Sequence, residues 1–122
     1  MFKITTAVRD ILLGSDEIKA LIDEKIFPII APEKTDGDFI VYQRDGFKQD
    51  TTKFGVARQT PLVNVTAISG KYDSSQDLAC LIYDTLSGRF SNPDITIELE
   101  DSTEDFIDNK YIQVLQFSIK QD

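Results

Sequence analysis

Strict alternation of apolar and polar residues is the feature that most limits how this chain can fold. In residues 60–69 and 95–100, apolar side chains occupy every second position through most of the segment. A period of two residues is that of a β-strand with one face buried and the other in water. Residues 39–44 are apolar on both faces, and residues 111–120 alternate with Gln113 among the apolar set. The sequence therefore predicts four strands.

Apolar residues at helical spacing occur in three other segments. They predict a helix over residues 3–13, a second helix that Ser15 caps, and a longer helix from Asp73. Pro28 and Pro32 exclude helix after the second of these, so residues 26–32 are expected to run extended with their apolar side chains buried. Strand pairs on either side of one helix predict an α+β fold, with a four-stranded, mostly antiparallel sheet and the helices packed on one face.

Length and cysteine content are typical of a single intracellular domain. The 122 residues predict one domain over residues 1–122. Cys80 is the only cysteine, and we expect it to pack as a small apolar residue on the third helix. No signal peptide begins the sequence, and no stretch approaches the ~18 apolar residues that span a membrane. We therefore expect no membrane partner and a chain that is soluble and cytoplasmic when made.

The formal net charge of −8 is unevenly distributed. Residues 1–61 hold nine basic and ten acidic side chains, whereas residues 62–122 hold four basic and eleven acidic ones. A surface of this sign repels the phosphate backbone of nucleic acids. Sequence-specific binding of nucleic acid is therefore not expected.

An acidic segment, residues 94–108, contains seven acids and no base. It is compatible with a site for a hard cation or with a hydrolase that uses paired carboxylates, although its spacing is not that of an EF-hand loop. Most charge runs are solvated faces, so it is also compatible with a solvated hairpin and edge strand, or with a negative surface that faces a partner or a passing polyanion. The candidate acidic surface consists of Glu98, Glu100, Asp101, Glu104, Asp105 and Asp108.

The residues on which most catalytic sites depend are missing from the sequence. There is no histidine, and one cysteine cannot build a Cys-rich zinc site within one chain. The six glycines form neither of the common phosphate-binding loops, and no GxSxG is present. We expect neither a cofactor nor a bound metal, and a protein that is not an enzyme.

A second unusual segment, residues 44–59, joins two strands that are expected to pair. It is far longer than a usual hairpin loop and contains four bases against two acids. We interpret it either as a docking loop, or as a disordered loop or plain extension of the two strands. The candidate interface residues are Arg44, Phe47, Lys48, Lys53, Phe54 and Arg58.

The order of these pieces resembles a known family over essentially the whole chain. A helical pair leads to "KIFPIIAPE" and "FIVYQ", the basic segment follows, and then come "LVNVTAIS", "DSSQDLACLIYDTL" and "YIQVLQFSIK". This arrangement resembles the phage tail-completion proteins, which are also described as head–tail joining or tail-terminator-like proteins. None of these motifs is a catalytic signature.

The resemblance implies structural work in a phage or prophage virion. Such proteins form rings, generally hexameric, between the tail tube and the head connector, with a channel for DNA, and they assemble in the cytoplasm of the bacterial host. On this interpretation the acidic segment lowers friction on DNA, and residues 44–59 contact a neighbouring copy or the next ring. The alternatives are a small carboxylate- or metal-dependent enzyme that uses residues 94–108, and an adaptor that binds a host protein.

Overall fold

The computed structural model describes residues 2–51, 57–91 and 93–121, with the side chains of residues 48–51 and 57–59 excepted. These residues form three helices and six strands. The helices are α1 (Ile4–Leu13), α2 (Asp16–Ile22) and α3 (Tyr72–Leu86). The strands are β1 (Ile26–Pro28), β2 (Phe39–Thr51), β3 (Ala57–Ser69), β4 (Gly88–Phe90), β5 (Ile95–Ile107) and β6 (Lys110–Gln121).

The sheet differs from the predicted one. In the described part of the chain it has six strands in the order β1-β2-β3-β6-β5-β4, and it is mixed because β1 runs parallel to β2. It curls into a half-barrel. The prediction of a four-stranded, mostly antiparallel sheet is therefore wrong. The two additional strands, β1 and β4, have three residues each, which is too short for an alternating pattern to be recognised.

The three helices and one face of the sheet enclose the core. Ser15 caps α2 as predicted, because its Oγ accepts a hydrogen bond from the Ile18 amide at 3.3 Å. The predicted apolar stripe of α3 is buried at Leu78, Ile82 and Leu86. The fully buried sheet residues that meet the helices include Ile40, Val63, Val65, Ala67, Ile95, Ile97, Phe117 and Ile119. The opposite face, called the open face below, has no helix against it among the described residues.

Most of the predicted long loop at residues 44–59 is strand. Strands β2 and β3 pair as far as Thr51 and Ala57, with a register shift between Arg44 and Phe47. Gly46 lies within this shift at φ +85, a conformation that glycine adopts readily. The segment is thus largely an extension of the two strands, which is one of the interpretations left open by the sequence.

The turn expected within residues 101–110 lies at Asp108 and Asn109. Both residues have positive φ, 52° and 61°, and they connect the paired residues Ile107 and Lys110. A two-residue connection with positive φ at both positions matches the right-handed twist of a hairpin. Strands β5 and β6 therefore form one long hairpin.

Two expectations about burial are wrong. Ile29 and Ile30 are 67% and 78% exposed, although we expected the apolar residues of 26–32 to be buried. Ile29 also has φ +65, an unusual value for a β-branched residue. Cys80 is exposed, so it does not pack in the core. It lies on α3 between the buried positions, outside the stripe that faces the sheet.

Within the described ranges, no helix combines the length and the apolarity needed to cross a lipid bilayer.

Candidate functional site

The acidic segment is divided between the two sides of strand β5. Successive side chains of a strand point to opposite faces, and Ile97 is buried against the helices. The cross-strand pairing with β6 therefore places Glu98, Asp101 and Asp105 on the open face, and Glu104 on the helix side. Glu100 lies at a register shift between Leu99 and Asp101. Asp108 lies in the turn.

Glu104 belongs to a hydrogen-bonded cluster that joins the start of α3 to the β5–β6 hairpin. The Gln113 amide donates from Nε2 to Glu104 Oε2 at 2.9 Å and to Ser75 Oγ at 3.2 Å. The Tyr72 hydroxyl donates to Glu104 at 3.0 Å. This hydrogen bond, followed by desolvation, raises the pKa of Tyr72 above its ordinary value, because it stabilises the neutral phenol. This acidic residue therefore stabilises the fold locally.

The cluster also explains the one polar residue on the apolar face of the last strand. Gln113 is only 8% exposed, and a buried amide is costly unless it is hydrogen-bonded. Its two acceptors lie 9 and 38 residues away in the sequence. The alternating pattern marks Gln113 as unusual, but only the register of β5 against β6 identifies its partner.

Two other acids cap the outer edge of β5. Beyond the three residues that pair with β4, this strand is an edge of the sheet in the described part of the chain. The amide of Ser102 donates to Asp101 Oδ1, and that of Phe106 donates to Asp105 Oδ1, each at 2.8 Å. Donors that are occupied in this way cannot recruit another strand.

The described residues hold no group of three or more histidine, cysteine, aspartate or glutamate side chains arranged to bind a metal ion. Glu104 points to the opposite side of β5 from Asp101 and Asp105, and all three accept local hydrogen bonds. This geometry gives no support to the metal-dependent alternative.

Arg44 is the candidate interface residue with the most informative surroundings. Its guanidinium carbon lies 4.7 Å from the centroid of the Phe2 ring, which is within the range of a cation–π contact. Its Nη1 atom is buried and has no hydrogen-bond partner among the described residues. A buried donor of a charged group normally has an acceptor, so this atom is unusual among the described residues.

The other candidate interface residues lie along the β2–β3 hairpin. Phe47 is 43% exposed and follows the register shift. Lys48 and Arg58 lie in β2 and β3, respectively. Lys53 and Phe54 lie outside the residues that the structure describes.

The ends of the two long hairpins lie at opposite ends of the sheet. Strands β3 and β6 are antiparallel neighbours, with Leu62 opposite Ser118 and Ser69 opposite Tyr111. The β2–β3 hairpin therefore extends past the end of β6, whereas the β5–β6 turn lies beside the end of β3. Among the candidate residues that the structure describes, the basic and acidic ones are not brought together within one copy.

An apolar groove lies on the open face, close to the exposed isoleucines. It has a volume of about 580 Å³. Ile29 and Ile30 line one side, and Phe39, Val41 and Ile68 form part of its floor. Both Lys34 and Lys110 also line it. Apolar surface of this kind on a soluble protein is typical of an interaction site.

Comparison with known proteins identifies a similar fold but no family. The sequence matches no family model and no curated protein. Among solved structures, a chain of the structure described as "Virion of native gene transfer agent (GTA) particle" is similar, with a TM-score of 0.74 and 14% sequence identity. The similarity covers 94% of this chain and 92% of that chain. At this identity, it shows that the two chains share a fold.

Proposed function

We propose that this protein is a non-enzymatic structural component of a phage or prophage virion. The observation that carries the proposal is the fold shared, over nearly the full length of both chains, with a chain of a gene transfer agent virion. The order of sequence motifs supports the same conclusion independently, since it resembles that of tail-completion proteins. On this proposal the protein is assembled in the cytoplasm of the host bacterium and resides in the virion.

The specific task that we propose is to complete or terminate the tail as a ring between the tail tube and the head connector. A ring of identical copies needs two different, complementary surfaces on each copy, since a head-to-tail contact closes when the rotation allows. The two edges of this sheet differ in charge and in exposed side chains, which suits such a contact. Six copies is the number that the family resemblance implies.

The open face of the sheet is our candidate for the wall of a DNA channel. It carries three acids of β5, namely Glu98, Asp101 and Asp105. Negative side chains repel the phosphate backbone and so allow DNA to pass without being held. The end of the β2–β3 hairpin, which extends past the neighbouring strand, is our candidate for contact with the next ring.

The proposal is tested by measuring assembly. We expect mass photometry and negative-stain electron microscopy to show closed rings, either of the protein alone or on tail tubes made from the neighbouring genes. Deletion of residues 47–57 is expected to abolish the joining of heads to tails. A protein that stays monomeric alone and with its tail-tube and connector partners would refute the ring. Normal joining after the deletion would refute the role of the hairpin only.

A further inference from the structure

The segment between β1 and β2 forms one wall of the apolar groove on the open face. Because β1 runs parallel to β2, the chain returns along the sheet through residues 29–38 before β2 begins. Part of this return segment lines the groove of about 580 Å³ together with Phe39, Val41 and Ile68. These three side chains point away from the helices, because Ile40 and Ala67 beside them are buried in the core. The groove thus lies between the return segment and the open face of β2 and β3.

A strained turn holds the isoleucines of this wall in solvent. The Ile30 amide donates to the Pro28 carbonyl at 2.6 Å, and Ile29 between them has φ +65. A three-residue turn with positive φ at its centre is the rare and costly form of this turn. The Ile29 amide also donates to the Tyr42 carbonyl at 2.9 Å, which fixes the wall to β2. Backbone strain that exposes two isoleucines is typical of a binding surface.

The groove is basic, although the protein is acidic. The formal net charge is −8, yet the charged residues among those described as lining the groove are Lys34 and Lys110, and none is acidic. Neither ammonium group forms an ion pair with another described residue. An occupant therefore needs apolar side chains next to carboxylates. The β2–β3 hairpin has the wrong sign, because its exposed Phe47 is followed by Lys48.

The tip of the β5–β6 hairpin, residues 105–108, has the required chemistry. Phe106 and Ile107 are 54% and 51% exposed, and Asp105 and Asp108 flank them in the sequence. Asp105 accepts the hydrogen bond from the Phe106 amide with Oδ1, so its other carboxylate oxygen is available. This chain therefore carries both the groove and an apolar, acidic segment that complements it.

The tip cannot occupy the groove of its own copy. Ile107 pairs with Lys110 across the two-residue turn, and β6 separates β5 from β3. Ile107 is therefore held two strand spacings, about 10 Å, from the part of the groove that β3 forms. In the described part of the chain, a tip reaches the groove only from a second copy.

The groove and the tip lie at the same height on the sheet. The row of paired residues that contains Phe39 continues through Ile68 and Ile112 to Asp105. Copies that stand side by side at one height, as a closed ring requires, bring Asp105 of one copy level with Phe39 of the next. The tip of one copy is then beside the groove of its neighbour.

We propose that the tip of the β5–β6 hairpin of one copy packs in the open-face groove of the next, with Ile107 against Ile30 and with Asp105 facing Lys34. The contact is heterologous, because the groove and the tip are different surfaces. The acids of β5 farther from the tip stay uncovered, as the proposed channel wall requires. This inference rests on the proposed ring, since it names the surfaces by which that ring closes.

Cross-linking between single-cysteine variants tests the contact. Two variants are made in a Cys80→Ser background, one with Ile30→Cys and the other with Ile107→Cys, and are assembled together. Each copy then holds one cysteine, so a short bismaleimide that joins residues 30 and 107 joins two copies. We expect this mixed product, identified by mass spectrometry, in rings formed alone or on tail tubes. As a control, the variant with Ile30→Cys is replaced by the wild-type protein, whose Cys80 is exposed on α3, and no mixed product is expected.

Removal of the apolar contact is a second test. Ile107→Ser and Ile30→Ser are each expected to raise the protein concentration at which half of the copies are in rings by about tenfold. The matched control is Leu21→Ser on α2, because Leu21 is 49% exposed, close to the value for Ile107, and rings are expected to form as in the wild type. Circular dichroism checks folding, and if a serine variant does not fold, the cross-linking decides.

The outcomes separate this contact from the proposed function. Rings that form normally in either serine variant would overturn the contact and leave the proposed function intact. Rings in which residues 30 and 107 cross-link no more than residues 80 and 107 would do the same. A wild-type protein that forms no ring, alone or on tail tubes, would overturn both.

Discussion

Replacement of Gln113 by alanine is expected to destabilise this protein far more than the same replacement at Gln116. The two glutamines lie three residues apart on β6, and each donates a hydrogen bond from Nε2 to a carboxylate. Gln113 is 8% exposed, whereas the bond from Gln116 to Asp45 lies at the surface. The comparison therefore varies the surroundings of the hydrogen bond and keeps its chemistry nearly constant.

The size of the effect follows from the bonds that are lost. A hydrogen bond to a charged group contributes about 1.5 kcal/mol to the free energy of unfolding at the low end of its range. The low end applies to Glu104, because this carboxylate is exposed and water can replace the amide. The bond to Ser75 contributes about 0.5 kcal/mol, since the Ser75 hydroxyl still donates to the Tyr72 carbonyl. The expected loss is about 2 kcal/mol, against less than about 0.5 kcal/mol for Gln116→Ala.

Urea unfolding followed by circular dichroism measures both values. In a thermal melt, the loss at Gln113 corresponds to a fall in Tm of about 8 °C for a domain of this size. A double-mutant cycle between Gln113→Ala and Glu104→Ala isolates the pair, and a coupling energy of about 1 kcal/mol is expected. Equal destabilisation by the two glutamine variants, or no coupling to Glu104, would show that the hydrogen bonds of Gln113 do not stabilise the fold as described.

Three other substitutions test separate parts of the structure. Asn109→Val should cost about 1–2 kcal/mol of unfolding free energy and Asn109→Gly almost nothing, because the turn requires positive φ; equal urea midpoints would argue against this turn. The pKa of Tyr72 should lie above 10 in an ultraviolet difference titration. Its hydrogen bond should stabilise the fold below pH 10, and this stabilisation should be lost as pH rises through the folded pKa. Glu104→Leu should return the pKa of Tyr72 towards 10, and an unchanged pKa would contradict the assigned cause. Ile29→Asn should raise the urea midpoint, because asparagine tolerates positive φ and the isoleucine is 67% exposed; an unchanged or lower midpoint would contradict this explanation.

Periodic patterns in the sequence predicted the long elements of this fold. They could not predict the register in which the strands pair. The apolar spacing identified all three helices, and the alternation of residues 95–100 identified the first half of β5. Strands β1 and β4 were missed because three residues cannot display a period. The outer part of the β2–β3 hairpin was left open between a loop and an extension of the two strands, because Asp45 and Gly46 interrupt the alternation at the register shift.

The candidate surfaces could be predicted only as segments. Composition indicated that residues 44–59 and 94–108 were unusual, but not that they lie at opposite edges, because this depends on β6 being inserted between β3 and β5. Ile29 and Ile30 were expected to be buried because isoleucine usually is. No local pattern shows that a turn with φ +65 directs them to solvent.

The capped outer edge of β5 has a consequence for when the protein assembles. A bare strand edge would add copies one after another without limit, and would do so as soon as the chain is synthesised. Because Asp101 and Asp105 occupy two of the outward amides, this edge offers fewer donors to another strand, and association depends more on side-chain contacts. If the proposed function is right, copies held together on a tail tube would experience a high local concentration that free copies do not. In that case, the two aspartates would delay association between copies until a template brings them together.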